Sequence, residues 1–122
     1  MPRNISFSMT TPQFIDGSKD VTRRLGWWNL KPGDVLCGVE KGMGLKKGEK
    51  VNRLGMIEVV SVTLEPLCQI YDHENDCARE GFPDWEPHQF IDFFMKSHKC
   101  GCADTVNRIE FRHLTKGGND SE

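Results

Sequence analysis

Residues 54–64, LGMIEVVSVTL, set the strongest limit on what this chain can fold into. Ile57, Val59, Val60, Val62 and Thr63 are β-branched, and their stiff side chains favour extended backbone on a pleated surface. Apolar residues fall on both parities of the run. Neighbouring side chains of a strand point to opposite faces, so this pattern predicts a long strand covered on both sides. Pro66 ends it. A chain of 122 residues built around such a strand fits one domain and can bury roughly two-thirds of its unfolded surface.

Shorter signals flank the long strand. Ile5-Ser6-Phe7-Ser8 alternates apolar and polar residues and predicts a first strand. A short helix follows over residues 10–17, capped by Thr10 or Thr11, with Pro12 in its first turn and Gly17 at its end. Lys31-Pro32-Gly33-Asp34 is a turn leading into a buried strand over residues 35–40. Residues 41–50 form a Gly/Lys loop whose spacing matches no Walker-type phosphate loop. After Pro66 come a helical turn at 67–70, an acidic helix at 72–79, and a stop at Glu80-Gly81. A longer helix opens at Asp84 or Glu86; its Phe90, Ile91, Phe94 and Met95 form an amphipathic stripe whose first duty is core packing. Residues 105–111 predict a closing strand, and residues 116–122 a disordered tail. The order predicts an α+β fold, a small, partly closed β-barrel with helices over its openings, in one domain over residues 1–115.

Composition excludes several classes. Hydrophobic and charged shares of 37% and 28% are ordinary for a soluble protein. No apolar run approaches the ~20 residues of a membrane span, so no membrane partner is expected. The N-terminal residues lack the apolar region and cleavage site of a secretory signal. Five cysteines without small-scaffold spacing point to reduced thiols and a cytoplasmic location. A net charge of −2 argues against a strongly basic nucleic-acid binder. Its distribution is uneven, however: lysines and arginines crowd residues 19–53, and acidic residues crowd 72–92. A local basic surface of this kind can hold phosphates.

The richest chemistry lies in Gly17-Ser18-Lys19-Asp20-Val21-Thr22-Arg23-Arg24. In an extended segment Lys19, Val21 and Arg23 share one face and Asp20, Thr22 and Arg24 the other, and a bend at either end brings Lys19 and Thr22 to one mouth. An ammonium beside a hydroxyl suits anion handling or activation of a weak nucleophile. A solvated basic edge strand is the plain alternative.

GSKDVTRR resembles the G-x-K-x-x-T-x-R signature of the ASCH domains, which share the PUA-like barrel. LKPGDVL (30–36), IEVVSV (57–62), CAREGFPDWEPHQFIDFF (77–94) and VNRIEF (106–111) resemble further segments of that family in the same order. The stretches GWWNLKPGD and KGMGLKKGEK resemble small phage and prophage members. The resemblance spans residues 4–114. It implies a PUA-like mixed barrel with a cleft suited to RNA or a modified nucleoside, and no cofactor. Some small bacterial members are amidohydrolases that deacetylate acetylated cytidine with a lysine, a threonine and a glutamate. These match Lys19, Thr22 and Glu80, the last before the long helix. Others are described as ribonucleases, and others are binding modules only, so an RNA-cleaving enzyme and a protein-interaction module stay open.

A threonine hydroxyl is a poor nucleophile until a base takes its proton, and a lysine whose charge is disfavoured by burial can be that base. Glu80 would favour the charged lysine, or pass a proton to the leaving amine. A structural ion pair between Lys19 and Glu80 is the plain alternative. For ligand binding, Arg23 and Arg24 are candidates for phosphate, Trp28 for base stacking, and Glu40 and Lys41 for the cleft rim. One residue of the Trp27-Trp28 pair is expected to point inward. His98, Cys100 and Cys102, with His73, Cys77 or His88, carry zinc-ligand chemistry, but the spacing departs from the usual knuckle, and no metal site is assigned.

Overall fold

A computed structural model describes residues 3–40 and 52–114. The expected basic loop up to residue 51, with the rim candidate Lys41, and the tail at 116–122 lie outside the described residues. The chain runs β1 (Arg3–Ser6), α1 (Thr11–Ile15), β2 (Val21–Arg24), β3 (Val35–Val39), β4 (Arg53–Pro66), a 3₁₀ helix (Leu67–Asp72), α2 (Asp76–Arg79), α3 (Pro87–His98) and β5 (Thr105–His113). The five strands make one sheet in the order β1-β3-β4-β5-β2. β1 pairs with β3 in parallel; every other pairing is antiparallel. The sheet curls into a half-barrel, giving a barrel-like α+β fold.

The long strand β4 corrects one expectation. Val60 and Leu64 are 49% and 63% exposed, so β4 is not covered on both faces. The mixed parity has another cause. The β4–β5 register shifts between Val59 and Ser61, and the β3–β4 register shifts where Gly38 pairs with Gly55 and Val39 with Arg53. A bulge inserts one extra residue and swaps the inward parity after it. Leu54 therefore faces the core, then Ile57 and Val59, then Val62. Bulges also bend a strand, which is what curls this sheet.

Two apolar clusters hold the fold. Inside the curl, Phe7, Phe14 and Phe111 pack with Leu36, Ile57, Val59 and Ile109. Phe7 and Phe14 stack with centroids 4.5 Å apart. Outside it, the α3 stripe Phe90, Ile91 and Phe94 closes over Leu67, Ile70, Cys77 and Val106. Helix α3 starts at Pro87 after Glu86, whose backbone N–H donates to Gln89 Oε1 at 2.7 Å. The acidic helix expected at 72–79 is only the four-residue α2, preceded by extended backbone at His73. Its Asp76 is buried, and ion pairs across the fold set the local turn in place of helix propensity. All five cysteines are free thiols.

Candidate functional site

The curl brings the two edge strands of the sheet near each other without pairing them. Arg24 at the end of β2 crosses this seam and donates from Nη2 to the main-chain oxygen of Ser6 in β1 at 2.6 Å. A cavity of about 190 Å³ opens beside the seam. Lys19, Thr22, Arg23, Arg24 and Glu80 all line it. Its apolar wall comes from Phe7, Phe82, Phe90, Phe93, Phe94 and the ring of His98.

Local structure explains the convergence. Asp16 caps the turn after α1, accepting from the Ser18 backbone N–H at 2.8 Å, and Gly17 takes φ +84°, a conformation that favours glycine. The Lys19 N–H then donates to Gln13 O at 3.2 Å, and Lys19 turns into the cavity. Next to Glu80, Gly81 sits at φ +108° and ends α2, and the Gln13 side-chain amide donates to Gly81 O at 3.1 Å. The two segments that carry Lys19 and Glu80 are thereby tied to the same residue of α1.

The polar groups are buried and densely paired. Lys19 is 3% exposed, and its Nζ donates to Glu80 Oε1 and to Glu80 O, each at 2.8 Å. Arg23 Nη1 donates to Glu80 Oε2 at 2.9 Å, while its Nη2 meets Asp76. Arg108 grips the same Asp76 with Nε and Nη2, at 2.8 and 2.9 Å. Glu65 lies 3.6 Å from Arg23 Nη2 and accepts the His73 ring at 3.1 Å. Arg23 Nε is buried with no hydrogen-bond partner among the described residues.

Burial pushes the Lys19 ammonium below its ordinary value, and Glu80 pulls it partly back. Burial raises the Asp76 carboxyl, but hydrogen bonds from Arg108 and Arg23 outweigh it and hold Asp76 at about 2. Burial lowers the Arg24 guanidinium to about 10, so it is charged at neutral pH.

Several donors are left over. An ammonium has three N–H bonds, and Lys19 directs two at Glu80. Thr22 Oγ1 accepts from Arg24 Nε at 2.9 Å, and no acceptor takes its own proton among the described residues. Polar donors facing a partly aromatic cavity suit a flat, polar ligand.

Two of the other rim candidates lie elsewhere. Trp28 is 54% exposed and does not line the cavity; Trp27 takes the inward place and packs on the core. Glu40 is exposed and accepts from Asn52 Nδ2 at 2.8 Å, also away from the cavity. His98 stacks on Phe94, and among the described residues no cluster of three or more metal-ligating side chains is present. The sequence reading missed Asp76, Arg108 and Glu65. A charged residue between Val106 and Ile109, inside an apolar closing strand, was the available signal for Arg108.

No family model matches the chain, and no curated protein matches it. Among solved structures, it is similar to protein EF3133 from Enterococcus faecalis V583, a crystal structure titled with the family model DUF984. The TM-score is 0.63 at 14% identity, over 93% of this chain and 80% of that one. A likeness at this identity speaks for the fold. No helix among the described residues is long and apolar enough to cross a membrane.

Proposed function

We propose that this chain is an ASCH-type protein with a PUA-like barrel that binds RNA or a modified nucleoside in the cavity beside the β1–β2 seam. One observation carries the reading: Lys19 and Thr22 of one short run, and Glu80 from 61 residues beyond Lys19, line one cavity with aromatic rings. The rings offer faces to a base, and the N–H and O–H groups offer donors to its edge. A cavity of about 190 Å³ suits a single nucleoside unit rather than a length of chain; pockets for drug-sized ligands run to about 300–1,000 Å³. Titration of labelled single-stranded RNA and of free nucleosides, at low and moderate salt, tests the reading. Saturable binding that weakens on Lys19→Ala is the expected result. Absence of binding to every RNA and nucleoside overturns it.

A second reading, amide hydrolysis of an acetylated cytidine, is favoured by the Lys19–Glu80 contact at 2.8 Å inside the same cavity as Thr22. In that reaction Thr22 Oγ attacks the acetyl carbonyl and neutral Lys19 takes the hydroxyl proton. The C–N bond breaks, the amine leaves with a proton relayed through Glu80, and water releases acetate from Thr22. Burial already works against the charged form of Lys19, the direction a base requires. Incubation with the acetylated nucleoside decides it: Thr22→Ala abolishes turnover if the hydroxyl is the nucleophile, and turnover that survives this change rules out the mechanism.

A further inference from the structure

Three cations line the cavity, and they are not equally provided with counter-ions. Lys19 is paired with Glu80. Arg23 is divided between Glu80 and Asp76, with Glu65 at 3.6 Å. Arg24 has no carboxylate partner among the described residues. Its Nε and Nη2 reach only the neutral oxygens of Thr22 and Ser6, at 2.9 and 2.6 Å, and its guanidinium lies 5.0 Å over the Phe7 ring.

Arg24 is half-buried, and a guanidinium partly withdrawn from water without a carboxylate in contact is held at a cost. Here burial is the leading influence on Arg24. The fold nonetheless fixes its orientation at three points: the threonine, the seam carbonyl and the ring. A guanidinium has five N–H bonds, and two of them are used among the described residues. The unused donors include both hydrogens of Nη1, the end of a planar fork that matches the oxygens of a phosphate. Glu80, the carboxylate in the cavity, is in direct contact with Lys19 and Arg23 and acts on Arg24 only through space, offsetting part of the burial.

We propose that the cavity takes a nucleoside carrying a terminal phosphate monoester in preference to the neutral nucleoside, with the phosphate on Arg24. The inference rests on the nucleoside reading of the cavity and goes beyond it by assigning the anion. The same phosphate can belong to a free mononucleotide or to the end of an RNA chain. Arg23, the other arginine of the run, is excluded from the role because its fork is occupied by Glu80 and Asp76.

Calorimetric titration of the full chain tests this with the four ribonucleosides, their 5′-monophosphates, inorganic phosphate, and a trinucleotide with and without a 5′-phosphate. The wild type is expected to bind one monophosphate about 10-fold or more tighter than its nucleoside, with the gap widening at lower salt. In Arg24→Gln that gap shrinks to about 2-fold or less; Arg24→Lys, which keeps the charge but loses the fork, falls between. Circular dichroism checks that each variant is folded, and the wild-type comparison stands without them.

Equal affinity for nucleoside and monophosphate in the wild type overturns the inference while the nucleoside reading survives. Arg24-dependent binding of inorganic phosphate, with no nucleoside or nucleotide bound, supports the anion subsite and overturns the nucleoside reading. No binding of any phosphate species overturns the inference outright. A phosphorylated trinucleotide that binds tighter than the mononucleotide assigns the phosphate to an RNA end; the reverse order assigns it to a free nucleotide.

Discussion

Lys19 gives two hydrogen bonds to one residue, Glu80, at the carboxylate Oε1 and at the main-chain oxygen, each at 2.8 Å. The other carboxylate oxygen accepts from Arg23 at 2.9 Å. Glu80 is thus the shared counter-ion of two buried cations, and the pair is not symmetric. Among the described residues Lys19 depends on Glu80 alone for charge balance, whereas Glu80 retains Arg23 if Lys19 is lost.

The asymmetry predicts unequal costs. Glu80→Ala strands Lys19 and weakens the balance of Arg23, and is expected to cost about 3–5 kcal/mol, as for breaking a buried pair. Lys19→Met removes a buried cation, keeps the apolar stem and leaves Glu80 paired, and is expected to cost about 1 kcal/mol or less. Urea denaturation of both variants measures the difference. Equal costs would show that Arg23 does not support Glu80.

The parts of this site legible in the sequence were those carried by local pattern. Lys19 and Thr22 stand in a short glycine-led run, a signal that survives without tertiary information; Glu80 was reached only through the resemblance to the ASCH domains, as the glutamate before the long helix. The strand β4 was legible as a strand, but its two bulges were not, because mixed parity reads equally as double burial. Asp76 and Arg108 were hidden for a different reason. They lie 32 residues apart and acquire meaning only by facing each other, at 2.8 and 2.9 Å. The stripe of α3 was read as core, and Phe90 and Phe94 are both core and cavity wall.

Acid stability should carry the mark of Asp76. Its folded value of about 2 lies below the ordinary 3.8, so folding favours the carboxylate. The associated stability is fully present above pH ~4 and is lost as pH falls through about 2. The shift corresponds to on the order of 2 kcal/mol. Carboxyl NMR shifts of Asp76 in the wild type, followed while the chain stays folded, should show a midpoint well below 3.8. Denaturation between pH 6 and 2 should show Asp76→Asn with a lower starting stability and a shallower loss over that window. A normal aspartate midpoint would mean that Arg23 and Arg108 do not grip it in solution.

Gly38 should tolerate no side chain. A Cβ there would stand 2.4 Å from Cζ of Phe14, whose ring is held between Phe7 and Phe111. Gly38→Ala is expected to cost about 1–3 kcal/mol by overpacking. Phe14→Leu should cost stability alone yet recover part of the loss in the double variant. Thermal unfolding of the four proteins gives the coupling. Strict additivity would place the clash elsewhere.

Gly81 links backbone geometry to the cavity. Its φ of +108° is poorly accessible to other residues, and a Cβ would meet Gln13 Cγ at 3.0 Å. Gln13 also accepts the Lys19 N–H through its main-chain oxygen, so one residue braces both sides of the Lys19–Glu80 contact. Gly81→Ala is therefore expected to cost about 1–3 kcal/mol in strain and to move Glu80 with it. Gln13→Ala relieves the contact but not the backbone. Ligand affinity should fall in Gly81→Ala and stay low in the double variant, because backbone conformation at 81, more than the Gln13 contact, sets where Glu80 stands. Calorimetric titration with the nucleoside monophosphates proposed as ligands reads this directly. Restoration of affinity by Gln13→Ala would assign the effect to the side-chain contact instead.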